Sequence, residues 1–128
     1  ILEAEVRLEK YVEEISKTRS REFRDKKKRE PYSMPNTGCI FKNPIDPATG
    51  KIVSAGKLID EAGLKNYTIN GSSVNEGHAN FIVNQGNACG EDFMALINLI
   101  QDIIFERSGI ELELEAKIVG GPLTSCVL

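Results

Sequence analysis

The chain has 128 residues, 41% of them apolar and 27% charged, the proportions of one soluble globular domain large enough to bury a core. Its net charge of −3 gives no electrostatic reason to expect nucleic acid or an anionic membrane as partner, and no apolar run approaches the roughly eighteen residues of a bilayer span. Three cysteines (Cys39, Cys89, Cys126) with a single histidine, His78, suit neither a disulfide framework nor a structural zinc site, so reduced thiols in a cytoplasmic compartment are expected.

The first residues, "ILEAEVRL", alternate Leu2, Ala4, Val6 and Leu8 against charged neighbours, the period of a half-buried strand. There is no initiator Met, and a domain that opens in mid-strand is expected to be a piece of a longer protein. From Glu9 to about Lys28 the period becomes helical, with Val12, Ile15, Arg19 and Phe23 on one face. The charge run "RDKKKRE" reads as a solvated helix end whose cations favour the negative end of the helix dipole. One of its cations, Arg29, is a candidate contact for an anionic ligand.

"EPYSMPNTGC" breaks the helix with two prolines and predicts a turn. "CIF" predicts a short strand entering the core, and "KNPIDPATGK" a loop. "SAGKLIDEAG" predicts a short helix: Ser54 is a fitting N-cap, Ala55, Leu58, Ile59 and Ala62 share a face, and Gly63 suits a left-handed cap. "YTI", "SSV" and "NFIVN" predict strands separated by Asn and Gly turns. Phe93, Leu96, Ile97, Ile100, Ile103 and Ile104 mark one face of a longer helix that ends before Gly109. "IELELEAKIV" alternates apolar and charged residues and predicts a strand with one face in the core. Strands and helices in this mixed order predict an α+β fold, two-layered, with a largely antiparallel sheet and packed helices.

Four blocks, "GCIFKNP", "AGKLIDEAGLKN", "GHANFIVN" and "LELEAKIVG", occur in an order and spacing that resemble the C-terminal domain of UDP-N-acetylenolpyruvoylglucosamine reductase, the MurB family. The opening strand and helix, residues 1–28, resemble the passage leading into that domain, and residues 29–128 the domain itself. The resemblance implies a flavoenzyme of peptidoglycan synthesis. NADPH reduces FAD, and the enolpyruvyl group of a UDP-sugar then takes a hydride and a proton to become UDP-N-acetylmuramate. FAD is held mainly by N-terminal FAD-binding domains that this chain does not contain, which leaves the chain the substrate-side and proton-transfer groups. A stand-alone nucleotide-sugar-binding or regulatory module with the same fold is the alternative.

Cys39 stands where the family usually has a serine as proton donor. A free thiol, with a pKa near about 8.5, is still mostly protonated at neutral pH and is a far better acid than an alcohol. Against this, free cysteine usually packs as a small hydrophobe. Glu115 matches the family's catalytic glutamate, where it would support the enolic intermediate; burial would raise its pKa, because desolvation disfavours the charged form. Asn43 matches the substrate-contacting asparagine of "FKNP". Lys42 and Arg29 are expected as further substrate contacts for phosphate, glycan or carboxylate, with Arg29 the looser match. His78 falls where the family places a substrate-facing polar side chain, and a structural histidine remains the alternative. Lys117, often arginine in the family, lies two residues beyond Glu115 on the same strand face, within reach of pairing with it. Cys89 reads as a packing or capping residue before the long helix, and Cys126 as an inert tail thiol.

Overall fold

A computed structural model describes residues 5, 13–27 and 34–119. Three helices and four strands follow in the order α1 (Glu13–Lys27), β1 (Asn36–Cys39), α2 (Ala55–Glu61), β2 (Thr68–Ile69), β3 (Ser72–Val74), β4 (Phe81–Asn84) and α3 (Gly90–Ser108). The strands form one antiparallel sheet in the order β1-β4-β3-β2. With α2 and α3 packed together and α3 against β2 and β3, this is the α+β arrangement predicted from the order of elements. The opening strand, Arg29 and Cys126 lie outside the described residues.

Local chemistry sets the helix ends. The Ser54 hydroxyl accepts from Lys57 N at 3.3 Å and starts α2. At its other end Gly63, with φ +75°, lets Gly63 N donate to Asp60 O and Leu64 N to Ile59 O. That pair of bonds is a Schellman motif, which needs a residue at positive φ. Ala55 and Ile59 of α2 are buried, as are Leu96, Ile97, Ile100 and Ile104 of α3, and all join one core with Ile40, Phe41, Val74 and Ile82. The predicted apolar faces of α2 and α3 are thus the packed faces. The stripe on α1 is different, because Ile15 and Phe23 are exposed.

The long helix begins on an anion. Asp92, buried in the first turn of α3, accepts from Cys89 N at 2.9 Å and from the Asn70 amide. The Cys89 N–H, then the Asn70 side chain and the Cys89 side chain, hold its carboxyl below the ordinary 3.8. A carboxylate whose folded pKa is lowered stabilises the fold above the unfolded pKa, and that stability is lost as pH falls through the lower folded value. Asp92→Asn is therefore expected to lower the melting temperature at neutral pH, with the difference from wild type closing below about pH 4. Thermal unfolding across pH checks this. A difference that stayed constant from neutral to acid would show that the charge of Asp92 is not what stabilises the helix start.

Residues 70 and 71 connect β2 to β3 with no room to spare. A Cβ on Gly71 would lie 2.2 Å from Asn87 Oδ1 and 2.5 Å from the backbone nitrogen of Ala88. A side-chain tip could move aside, but the backbone launching α3 cannot. Gly71→Ala is expected to cost about 1–3 kcal/mol by overpacking, read as a shift in the urea midpoint at unchanged slope.

Two predicted strands are drawn differently. The strand expected at "CIF" instead runs from Asn36 to Cys39, within the segment expected to turn, while Ile40 and Phe41 continue into the core. A one-residue bulge lies between Asn36 and Cys39, and Gly38 takes φ +76° there. The expected strand at 110–119 keeps its alternation, with Ile110 and Leu112 buried and Glu111, Glu113, Glu115 and Lys117 exposed. It pairs only at Leu114 opposite Phe41, and Ile118 and Val119 point into solvent.

Candidate functional site

The "GCIFKNP" segment lies at the β1 edge of the sheet, and the bulge decides where its cysteine points. Asn36 opposes Val83 and Cys39 opposes Phe81, so three steps on β1 match two on β4. Without the extra residue, Cys39 would fall on the opposite face from Asn36, because side chains alternate along a strand. Cross-strand partners share a face, so Cys39 lies with Phe81, which is buried but stands outside the core cluster that α2 and α3 share. The ring of His78 meets Phe81 edge-on with centroids 4.6 Å apart. Cys39 and His78 therefore approach one phenylalanine from two elements, and both are partly exposed. Cys39 and Cys89 are thiols, with no disulfide between them.

The His78 loop is rigidly tied. Asn75 Oδ1 accepts from His78 N at 2.9 Å, and His78 O accepts from Phe81 N at 3.0 Å. His78 Nδ1 is buried and has no hydrogen-bond partner among the described residues. A buried ring nitrogen left unsatisfied is uncommon, and it marks a position able to accept from a further donor.

Glu115 comes beside Cys39 through the backbone. Glu115 N donates to Ile40 O at 2.8 Å, and Lys42 N donates to Glu113 O at 2.9 Å. The two candidate catalytic residues, far apart in sequence, are thus carried on segments bonded to each other. The Glu115 carboxylate is exposed, so these residues do not themselves supply the desolvation expected of a catalytic glutamate. Lys117 is exposed as well, and no ion pair joins it to Glu115.

The substrate-side candidates separate into a second group. Lys42 Nζ pairs with Glu113 Oε1 in a contact open to solvent, a kind worth little to stability. Asn43 Oδ1 accepts from Ala55 N at 3.0 Å, at the first turn of α2; its amide NH2 remains for another acceptor. Lys42 and Asn43 border an open cleft of about 460 Å³ between the Pro44–Pro47 loop and Gly109–Glu113, a cleft that includes neither Cys39 nor Glu115. Asp46 orders the rim of that loop. Its carboxylate accepts from Ala48 N and Thr49 Oγ1, and the Thr49 bond first, then the Ala48 N–H, hold its carboxyl below the usual carboxylate range.

The residue that sequence reading passed over is Asn80. It is buried, its Oδ1 accepts from Phe41 N at 3.0 Å, and its Nδ2 donates to Phe41 O at 2.8 Å. A side-chain amide thus does for Phe41 what a paired peptide on a neighbouring strand would do. The available signal was an asparagine inside the apolar run "ANFIV", where a polar group must find buried partners.

A four-stranded antiparallel sheet backed by two helices, with a thiol-bearing edge segment bonded to a carboxylate-bearing one, defines a small α+β domain whose candidate site is open on one side. The sequence model for "UDP-N-acetylenolpyruvoylglucosamine reductase, C-terminal domain" matches residues 30–119, and the chain belongs to this family. Among similar proteins, the UDP-N-acetylenolpyruvoylglucosamine reductase of Chlamydia abortus is 48% identical over 90 residues, which is 70% of this chain and 28% of that protein. That of Chloroherpeton thalassium is 46% identical over 104 residues, 80% of this chain and 33% of its own length. The crystal structure of the reductase (MurB) from Thermus caldophilus superposes with a TM-score of 0.63 at 36% identity, over 85% of this chain and 37% of that one. The chain spans about a third or less of these curated relatives' length.

Proposed function

We propose that the chain is the substrate-binding and proton-donating part of a flavin-dependent reductase. That enzyme would convert UDP-N-acetylglucosamine enolpyruvate to UDP-N-acetylmuramate with NADPH, in the cytoplasm, where thiols stay reduced. The observation that carries this reading is the backbone bond from Glu115 N to Ile40 O, which brings a carboxylate segment beside a thiol segment within the span matched by the family.

Adding a hydride to the methylene carbon of an enolpyruvyl group leaves negative charge beside the carboxylate, and a proton must then reach the neighbouring carbon. FAD, bound by the remainder of the protein, supplies the hydride. The donor set in this chain fits that chemistry, since it offers an acid and a second group able to hold an enolate. The Cys39 thiol delivers the proton, at a carbon within hydrogen-bond reach. Glu115 supports the enolic intermediate as an acid or through a hydrogen bond from its carboxyl group, aimed where the charge develops. The Asn43 amide, Lys42 and Arg29 take the sugar nucleotide, with a guanidinium suited to a diphosphate or carboxylate, and the partly exposed His78 ring is a further polar group on the substrate side. The open face of Cys39 and Glu115 is closed by the flavin-binding domains, which exclude water.

The full-length protein, supplied with NADPH and the enolpyruvyl UDP-sugar, should consume NADPH and yield UDP-N-acetylmuramate, detected by mass spectrometry. Binding of the UDP-sugar with no turnover would instead make the protein a non-catalytic nucleotide-sugar module.

A further inference from the structure

Between the two halves of the candidate site stands one buried polar side chain that touches neither. Asn80 follows His78 by two residues in the β3–β4 turn, but its side chain enters the core, where it is 4% exposed. Its backbone carbonyl accepts from Ile40 N at 2.9 Å, which continues the β1–β4 pairing by one residue. Its carboxamide then closes on both peptide groups of Phe41, at 3.0 and 2.8 Å. On the other side of the same short segment, Ile40 O accepts from Glu115 N at 2.8 Å, and Phe41 pairs with Leu114. Residues 40 and 41 are thus held between Asn80 and the Glu115 segment, and Cys39 adjoins them.

We infer that Asn80 is a positioning residue: its carboxamide, locked on the Phe41 backbone, fixes the Cys39 segment and the Glu115 segment in one register. The inference rests on the reading of Cys39 and Glu115 given above. The physical need is clear from burial. Phe41 is 1% exposed, and a peptide N–H and C=O buried there must be paired. Among the described residues no strand supplies the partner, since β1 ends at Cys39. A carboxamide offers a donor and an acceptor side by side, as the two peptide groups require. With it removed, the two peptide groups must turn to seek water, and Ile40 O and Cys39 turn with them. A displacement of about 1 Å at a reacting group is enough to cost on the order of a hundredfold in rate.

The test uses the full-length protein with its flavin bound. Asn80→Leu removes both the acceptor for Phe41 N and the donor to Phe41 O at similar volume, while Asn80→Gln keeps both one methylene further out. Per folded, flavin-loaded enzyme, both are expected to reduce with NADPH at the wild-type rate. Both are expected to pass the hydride to the enolpyruvyl substrate about tenfold to a hundredfold more slowly, with little change in KM. A role confined to stability would lower the folded fraction and leave both rates per folded enzyme unchanged, and that result overturns the inference. If neither variant accumulates, amide hydrogen exchange on the wild type decides. Residues 40–42 and 113–116 should open as one slow unit, and independent exchange of the two segments overturns the shared register. Failure of Cys39→Ala to affect the second half-reaction would remove the catalytic reading, whereas an inert Asn80 alone leaves that reading standing.

Discussion

Replacing Cys39 with alanine in the full-length protein is expected to slow flavin reoxidation by the enolpyruvyl substrate by about 10²–10⁴, the range for loss of a positioned general acid. That corresponds to roughly 3–5 kcal/mol on the barrier of one step. Reduction by NADPH should be nearly untouched, because the thiol has no part in it. Stopped-flow of the two half-reactions separates them, and equal loss in both would remove Cys39 from proton delivery. Cys39→Ser is the informative companion, since a hydroxyl offers a proton from the same half-buried position. It should recover most of the lost rate. The Gly38 bulge, not the identity of the side chain, directs residue 39 to the Phe81 face.

This bulge also marks how far the sequence could be read. The apolar periods of α2 and α3 were plain because each has a single packed face, and their caps follow from Ser54, Gly63 and Gly109. The three short strands between them were legible from their Asn and Gly turns. What periodicity does not state is the partner. Alternation at Ile110–Lys117 correctly separates inner from outer residues, yet the segment meets only the short run at Ile40–Lys42 and forms one bridge rather than a ladder. The same limit applies to α1, whose stripe is helical but exposed at Ile15 and Phe23. Within the site, the four blocks picked out Cys39, Asn43 and Glu115 by register. They gave no sign that Asn43 Oδ1 is engaged at the start of α2 or that Lys42 pairs with Glu113. Both bonds join segments distant in sequence, and no local pattern encodes them.

Glu115→Gln carries the second large expectation, a fall of about 10²–10³ in kcat of the full-length protein, the scale for losing one group aimed at developing charge. The argument turns on where its carboxylate stands. In this chain it is exposed, and an exposed carboxylate acts in water, where its interactions are weak. Its backbone, by contrast, is fixed on Ile40 O. The side chain is therefore held at the rim, and under the proposed function the closing of the site over it would supply the low-dielectric environment in which its hydrogen bond is strong. A group that acts only on the enolate contributes nothing to the bound ground state, so KM should hardly change while kcat falls. Glu115→Asp, which keeps the carboxyl group but withdraws it by one methylene, should lie between wild type and Glu115→Gln. The opposite pattern, a raised KM at constant kcat, would make Glu115 a ground-state substrate contact on the exposed face it shares with Lys117. Proton delivery would then rest on Cys39 without a partner from this strand.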